Sequence, residues 1–156
     1  MDTLASARSC HYAAIQVTTQ HQTEFADVTD HLNRLVSEAG VQVGTLTIQT
    51  LHTTTAIVVN EHEPLLLVDF ERLLEKTVPQ ATAYWHDEMP LRPSVAPDER
   101  RNGHAHCRAL LLPSSAVLTI VDGALRLGRW QRVFLAEFDG PRERELSVVI
   151  LGEAAL

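Results

Sequence analysis

The sequence predicts an α+β fold in a single domain, and three observations carry the prediction. The chain has 156 residues, enough for one domain with a real core. Both segments in which apolar residues recur at helical spacing, 25–39 and 63–76, fall in the first half. The rest, after a long polar stretch, is rich in β-branched and apolar runs cut by Asp-Gly, Leu-Gly and Asp-Gly-Pro turn signals. Helices early and strands clustered late fit α+β better than an alternating α/β order.

The elements follow in chain order. Residues 1–11 are expected to form a flexible N-terminal segment, and 12–156 the domain. "AAIQVTTQ" (13–20) is β-prone and roughly alternating, which predicts a strand. Phe25, Val28, Leu32, Leu35, Val36 and Ala39 lie at helical spacing with Gly40 as a natural stop, so a helix is predicted over 25–39. The β-branched run 41–61 predicts two strands with a turn near His52–Thr54. "EPLLLVDFERLLEK" (63–76) places Pro64 at a first helical position and an apolar stripe at Leu66, Phe70, Leu73 and Leu74. "HDEMPLRPSVAPDERRNG" (86–103) is dense in proline and charge and reads as a long loop, of a length that is often functional. Strands are predicted near 104–112, 115–121, 130–138 and 145–151.

Composition narrows the function. With 45% hydrophobic and 21% charged residues the chain reads as globular and soluble. A formal net charge of −7 argues against non-specific binding to nucleic acid or an anionic membrane, which rests on a basic surface. No apolar run is long enough to span a bilayer, and "MDTLASARSCHY" lacks the apolar core of a secretory signal, so a cytoplasmic address is expected. Cys10 and Cys107 are far apart and form no CxxC, which suggests neither a disulfide framework nor a cysteine zinc site; Cys107, among apolar neighbours, is expected to be buried. No Walker loop, GxGxxG or GxSxG elbow is present.

The eight histidines are many for this length. His11, His21, His31 and His62 read as surface residues. His52 shares a period-two face with Leu46, Ile48 and Thr50, His86 stands at the mouth of the long loop, and on a strand His104 and His106 would share one face. Two imidazoles on one face with a third from elsewhere can hold zinc and leave an open position. The alternative is that backbone or carboxylate hydrogen bonds satisfy these rings.

Five blocks carry a family resemblance: "HTTTAIVVNE" (52–61), "YWHDE" (84–88), "NGHAH" (102–106), "DGALRLGRWQRVFLAEFDGPRER" (122–144) and "VVILG" (148–152). In this order and spacing they resemble the YjbQ family, described as secondary thiamine-phosphate synthases. The resemblance covers nearly the whole chain after about residue 12 and is most specific between Leu127 and Arg144. It implies a YjbQ-like mixed β-sheet with a few helices, assembled as a homotrimer. It also implies a site near the subunit interfaces and a divalent metal, zinc foremost and magnesium second, on His52, His86 and His106. On this reading His104 lies outside the ligand set, beside the site or in solvent.

The other candidates each have a functional and a bland reading. Glu61 could orient a histidine or complement a helix dipole, whereas Asp69 reads as a solvated helix position. Asn102 could bind a ligand or turn the chain before Gly103. Ser114 and Ser115 could hold an anion or make a turn. Arg142 could meet a phosphate with its planar fork, or pair with Asp139 or with a glutamate of a neighbouring subunit. Gln131 opens a strand and could reach a ligand, and its neighbour Trp130 reads as packing. Glu61 and Arg142 stand as candidate catalytic residues, and Asn102, Ser114, Ser115 and Gln131 as ligand-binding ones. The function so implied is weak thiamine-phosphate synthase activity, joining a pyrimidine diphosphate to a thiazole phosphate, or a related reaction on small phosphorylated molecules. The alternatives are a trimeric metal- or anion-binding protein without turnover, and a metal-dependent hydrolase.

Overall fold

Alternation and helical spacing leave the chain with several one-sided apolar surfaces, and two antiparallel sheets and three helices bury them. The computed structural model describes residues 8–154. In chain order the elements are β1 (Arg8–Thr18), β2 (Glu24–Asp27), α1 (Thr29–Ala39), β3 (Val41–Thr50), β4 (Thr55–Glu61), α2 (Pro64–Thr77), α3 (Gly103–Leu110), β5 (Ser115–Val121), β6 (Ala124–Leu125), β7 (Gln131–Glu137) and β8 (Glu143–Ala154). One sheet has the order β1-β8-β3-β5-β6 and the other β2-β7-β4. This is the α+β class that the sequence predicts.

The main core lies where the inner face of the larger sheet, one face of the smaller sheet and α1 meet. It holds Ile15, Leu46, Ile48, Ile120, Leu146 and Val148 from the larger sheet, Ile57, Val133 and Leu135 from the smaller, and Leu32 and Val36 from α1. A second core on the other face of the smaller sheet packs Ala56, Ala136 and Phe138 against Leu74 of α2 and Ala105 of α3. The middle strand β7 is therefore covered on both sides, which is why "VFLAEF" is continuously apolar apart from one acid.

The predicted strands 115–121, 130–138 and 145–151 are found as β5, β7 and β8, and α2 starts at Pro64 as predicted. Glu63 caps α2, its carboxylate accepting from the Leu65 and Leu66 amides. The turn "DG" has positive φ at both Asp122 and Gly123, the geometry of a tight hairpin.

Four expectations are corrected. Helical spacing from Phe25 does not produce helix there: Glu24–Asp27 pairs with β7 as edge strand β2, and α1 begins at Thr29, whose amide donates to the Asp27 carboxylate. Pairing and burial against β7 override the local periodicity. Residues 104–112 are not a strand; Gly103–Leu110 is α3, with the Gly103 amide donating to Asp87 Oδ1 at 2.9 Å. Arg8–His11, expected to be flexible, pair with β8 from Glu153 to Ile150; residues 1–7 lie outside the described part. Cys107 is exposed, because the helix turns it away from the core.

Candidate functional site

Three chain connections meet at one end of the smaller sheet: the β3–β4 turn, the segment leading into α3, and the β7–β8 turn. They line an open polar cavity of about 350 Å³ that includes His52, Asn102, His106, Asp139, Arg142 and Arg144.

The β7–β8 turn is built on a buried ion pair. Glu137 is fully buried and Arg144 nearly so. Arg144 Nε and Nη2 donate to the two Glu137 oxygens at 2.6 Å each, and Nη2 also donates to Thr54 at 3.0 Å. Glu137 further accepts the Phe138 and Asp139 amides and the Thr19 hydroxyl. A buried bidentate pair whose other lone pairs are satisfied is the arrangement in which burial of charge is tolerated. Gly140 follows because a Cβ there would run into the His21 carbonyl.

Asp139 is the hub beside this pair. Its Oδ2 accepts from Asn102 Nδ2 at 3.0 Å and from Arg142 Nη2 at 2.8 Å. Its main-chain carbonyl accepts from Arg142 Nε and Arg100 Nη1. The Asp139–Arg142 pairing thus exists, and it positions a half-buried guanidinium at the cavity.

The β3–β4 turn supplies His52. The Thr50 and Thr55 hydroxyls meet at 2.5 Å across the turn, and the His52 ring swings toward β8, where Nε2 accepts the Glu145 amide at 2.8 Å. Burial, reinforced by the Arg144 and Arg142 charges, pushes the His52 pKa down. His86 and His106 stack edge-on with centroids 4.7 Å apart. The His106 pKa is lowered by burial and by His86. His86 Nε2 is buried without a hydrogen bond, 3.5 Å from a Glu99 oxygen. Arg92 holds Glu99 at 3.0 Å and keeps its carboxyl below the usual range.

The HxH reading on a strand is overturned by α3. Two positions apart on a helix is roughly 200° of rotation, so His104 and His106 diverge. His106 reaches the cavity, while His104 is only 1% exposed, inside the fold rather than in solvent, with Gln22 Nε2 3.4 Å from its Nε2. Burial lowers its pKa as well.

Of the candidates, His52, His106, Asn102 and Arg142 line this cavity and His86 stands behind His106. Glu61 lies at the opposite end of β4, in a separate hollow with His62, Arg129 and Trp130. Gln131 also sits at that end, its Oε1 accepting from Gly128. Ser114 and Ser115 are exposed at the start of β5. Trp130 is not packing: it is 62% exposed, with Arg129 4.8 Å over its ring. Sequence reasoning names Asp139 only as a partner for Arg142 and does not single out Glu137, Arg144 or Arg100. For Glu137, Asp139 and Arg144 the signal is the crowding of opposite charges in "EFDGPRER", beside an otherwise apolar strand; Arg100 lies outside that run, in the polar stretch before α3.

Among the described residues no three His, Cys, Asp or Glu side chains stand together closely enough to hold a metal ion. The orphaned His86 nitrogen suits a ligand, but His52 has its Nε2 lone pair committed to Glu145. As they stand, the three histidines do not fit a shared metal.

Comparison with known proteins agrees with this fold. The family model described as "UPF0047 protein YjbQ-like" matches residues 13–153. A UPF0047 protein of Methanothermobacter thermautotrophicus is 35% identical over 86% of this chain and 87% of its own length. One from Archaeoglobus fulgidus is 39% identical over 85% and 95%. The crystal structure of a "YbjQ-like protein of unknown function" from Sulfolobus solfataricus superposes with a TM-score of 0.85 at 34% identity, covering 94% of this chain and 100% of that one. A hypothetical protein from Aeropyrum pernix gives 0.81 at 31% identity, with coverage of 92% and 99%. Blocks spread over the whole domain, and a shared fold at this identity, establish that the chain belongs to the YjbQ/UPF0047 family.

Proposed function

We propose that the cavity binds a small phosphorylated molecule and acts on it as an enzyme. The supporting observation is Arg142: its Nε and Nη2 are anchored on Asp139, which leaves Nη1 for a ligand at a cavity that Arg100 and His52 also line. An anchored guanidinium loses little freedom when it takes up a phosphate oxygen. The reaction that the family resemblance implies is thiamine-phosphate synthesis. The thiazole nitrogen forms a C–N bond to the pyrimidine methylene carbon as its C–O bond to diphosphate breaks and pyrophosphate leaves. Arg142 would take up charge developing on the leaving group. No step is assigned to Glu61, which lies at the far end of β4. The subunit is proposed to work as a homotrimer. A metal on His86 and His106, zinc foremost, would require His52 to leave Glu145 before it could join them.

The test is to incubate the protein with the two phosphorylated substrates and magnesium and to follow thiamine phosphate and pyrophosphate. Arg142→Ala is expected to lower kcat/KM roughly 10²-fold. No product above a heat-killed control, together with no phosphate binding by calorimetry, would overturn the reading. Phosphate binding without product would leave the anion-binding protein without turnover.

A further inference from the structure

We infer that His52 is a fixed neutral hydrogen-bond donor, presenting Nδ1–H to an oxyanion held beside Arg142, rather than a metal ligand or a proton acceptor. The inference deepens the phosphate-binding reading above and rests on it.

The argument begins at the end of a strand. β3 and β8 pair down to Thr50 and Leu146, and beyond that point one long main-chain bond remains, from the Leu51 amide to the Glu145 carbonyl at 3.4 Å. The next β8 amide, that of Glu145, would be left without an acceptor from β3. His52 supplies one, with Nε2 at 2.8 Å. A main-chain N–H can only donate, so the nitrogen facing it must carry a lone pair. An imidazolium has none, and a neutral imidazole with its lone pair on Nε2 has its proton on Nδ1. A ring flipped by 180° would turn a C–H toward the amide and orphan it, so the amide fixes orientation as well as tautomer.

Two roles are thereby closed. Metal ligation through Nε2 would strip Glu145 of its partner, and ligation through Nδ1 would require loss of its proton. Proton acceptance at Nδ1 is closed while that proton is in place. Donation remains, from a ring lining the same cavity as Arg142 and Arg100. Such a donor calls for an acceptor oxygen. A phosphoryl oxygen meets both the donor and the guanidinium, and a neutral ring adds no charge repelling Arg142.

Nitrogen-15 NMR of the full chain labelled at histidine tests the tautomer directly, with His52 assigned by loss of its signals in His52→Gln. The expected result is a protonated Nδ1 and a bare Nε2, unchanged on adding zinc. A proton on Nε2, or zinc-dependent loss of the Nδ1 proton, would overturn the assignment. Sulfate titration then tests donation with two variants. His52→Gln puts an amide oxygen where Nε2 was and nothing at Nδ1, whereas His52→Asn puts an amide N–H at Nδ1 and no acceptor for Glu145. Sulfate should weaken about tenfold in His52→Gln, and stay within about threefold in His52→Asn, whose melting temperature falls instead. Equal affinity in wild type and His52→Gln overturns the donor role alone. Absence of sulfate binding to the wild type overturns the oxyanion site and the donor role together, and the NMR result still identifies the tautomer.

Discussion

At the residue scale, the site is a set of charges placed where neighbours cancel their cost. Glu137 and Arg144 are fully committed to one another and to the turn, so removing either leaves an uncompensated buried charge, worth about 3–5 kcal/mol. Arg142, half-buried and with donors to spare, is therefore the arginine to change when function rather than folding is in question. Histidines report the same logic through pH. Burial holds His52, His104 and His106 below the ordinary value of 6.5. The unfolded chain then binds more protons than the native one once pH drops below about 6.5, and stability falls with pH from there toward the folded-state values. Denaturant midpoints measured across that range should decline, and His104→Gln should flatten the slope. A slope unchanged by that substitution would mean that His104 is not held neutral. Asp27 acts further down the scale. Burial alone would raise its pKa, but hydrogen bonds from Arg132, Thr29 and His62 outweigh this and bring it to about 2.

At the element scale, local signals decided most segments and long-range pairing decided the exceptions. α1 buries Leu32 and Val36 and ends at Gly40 with φ 66°, as periodicity and a C-terminal glycine require. The sequence predicts a strand where α3 lies because "HAHCRALLL" alternates in polarity over its first residues. What holds it as a helix is Asp87, 16 positions earlier, which accepts the first amide. β3 and β8 also depend on close approach: Gly44 and Gly152 face one another, and a Cβ on either would strike the partner's backbone. Gly44→Val is expected to destabilise the protein by about 2–4 kcal/mol through forced separation of these strands. Urea unfolding measures it, and a change below about 0.5 kcal/mol, the size of an ordinary surface substitution, would show that the strands can part freely.

For the whole molecule, the distribution of exposed apolar groups matters most. Tyr12 of β1, Val117 of β5 and Leu151 of β8 are 66%, 67% and 48% exposed, and with Val43 of β3 they all lie on the outer face of the larger sheet. A monomer seldom leaves such a face to water, and a second copy of the chain would cover it. The proposed trimer predicts a mass three times the 17.3 kDa chain by light scattering, and Val117→Glu should shift it toward the monomer. A monomeric wild type would overturn the trimer. No helix among the described residues is long and apolar enough to cross a membrane, so no spanning helix competes for these apolar groups.

β1, β3, β4, β5, β7 and β8, α1 from Thr29 onward, α2 and the turn at His52–Thr54 were legible from sequence, because period, caps and turn residues act within a few positions. So was the family, through blocks that also mark the β7–β8 turn. Tertiary structure alone decided that Phe25 joins a strand, that His104 and His106 part company, and that Glu61 and Gln131 stand at the far end from Arg142. It also placed the Glu145 amide against His52, which sets that ring's tautomer. Each of these depends on partners beyond the reach of local sequence signals, and neither residue's identity encodes the meeting; only the packed chain brings them together.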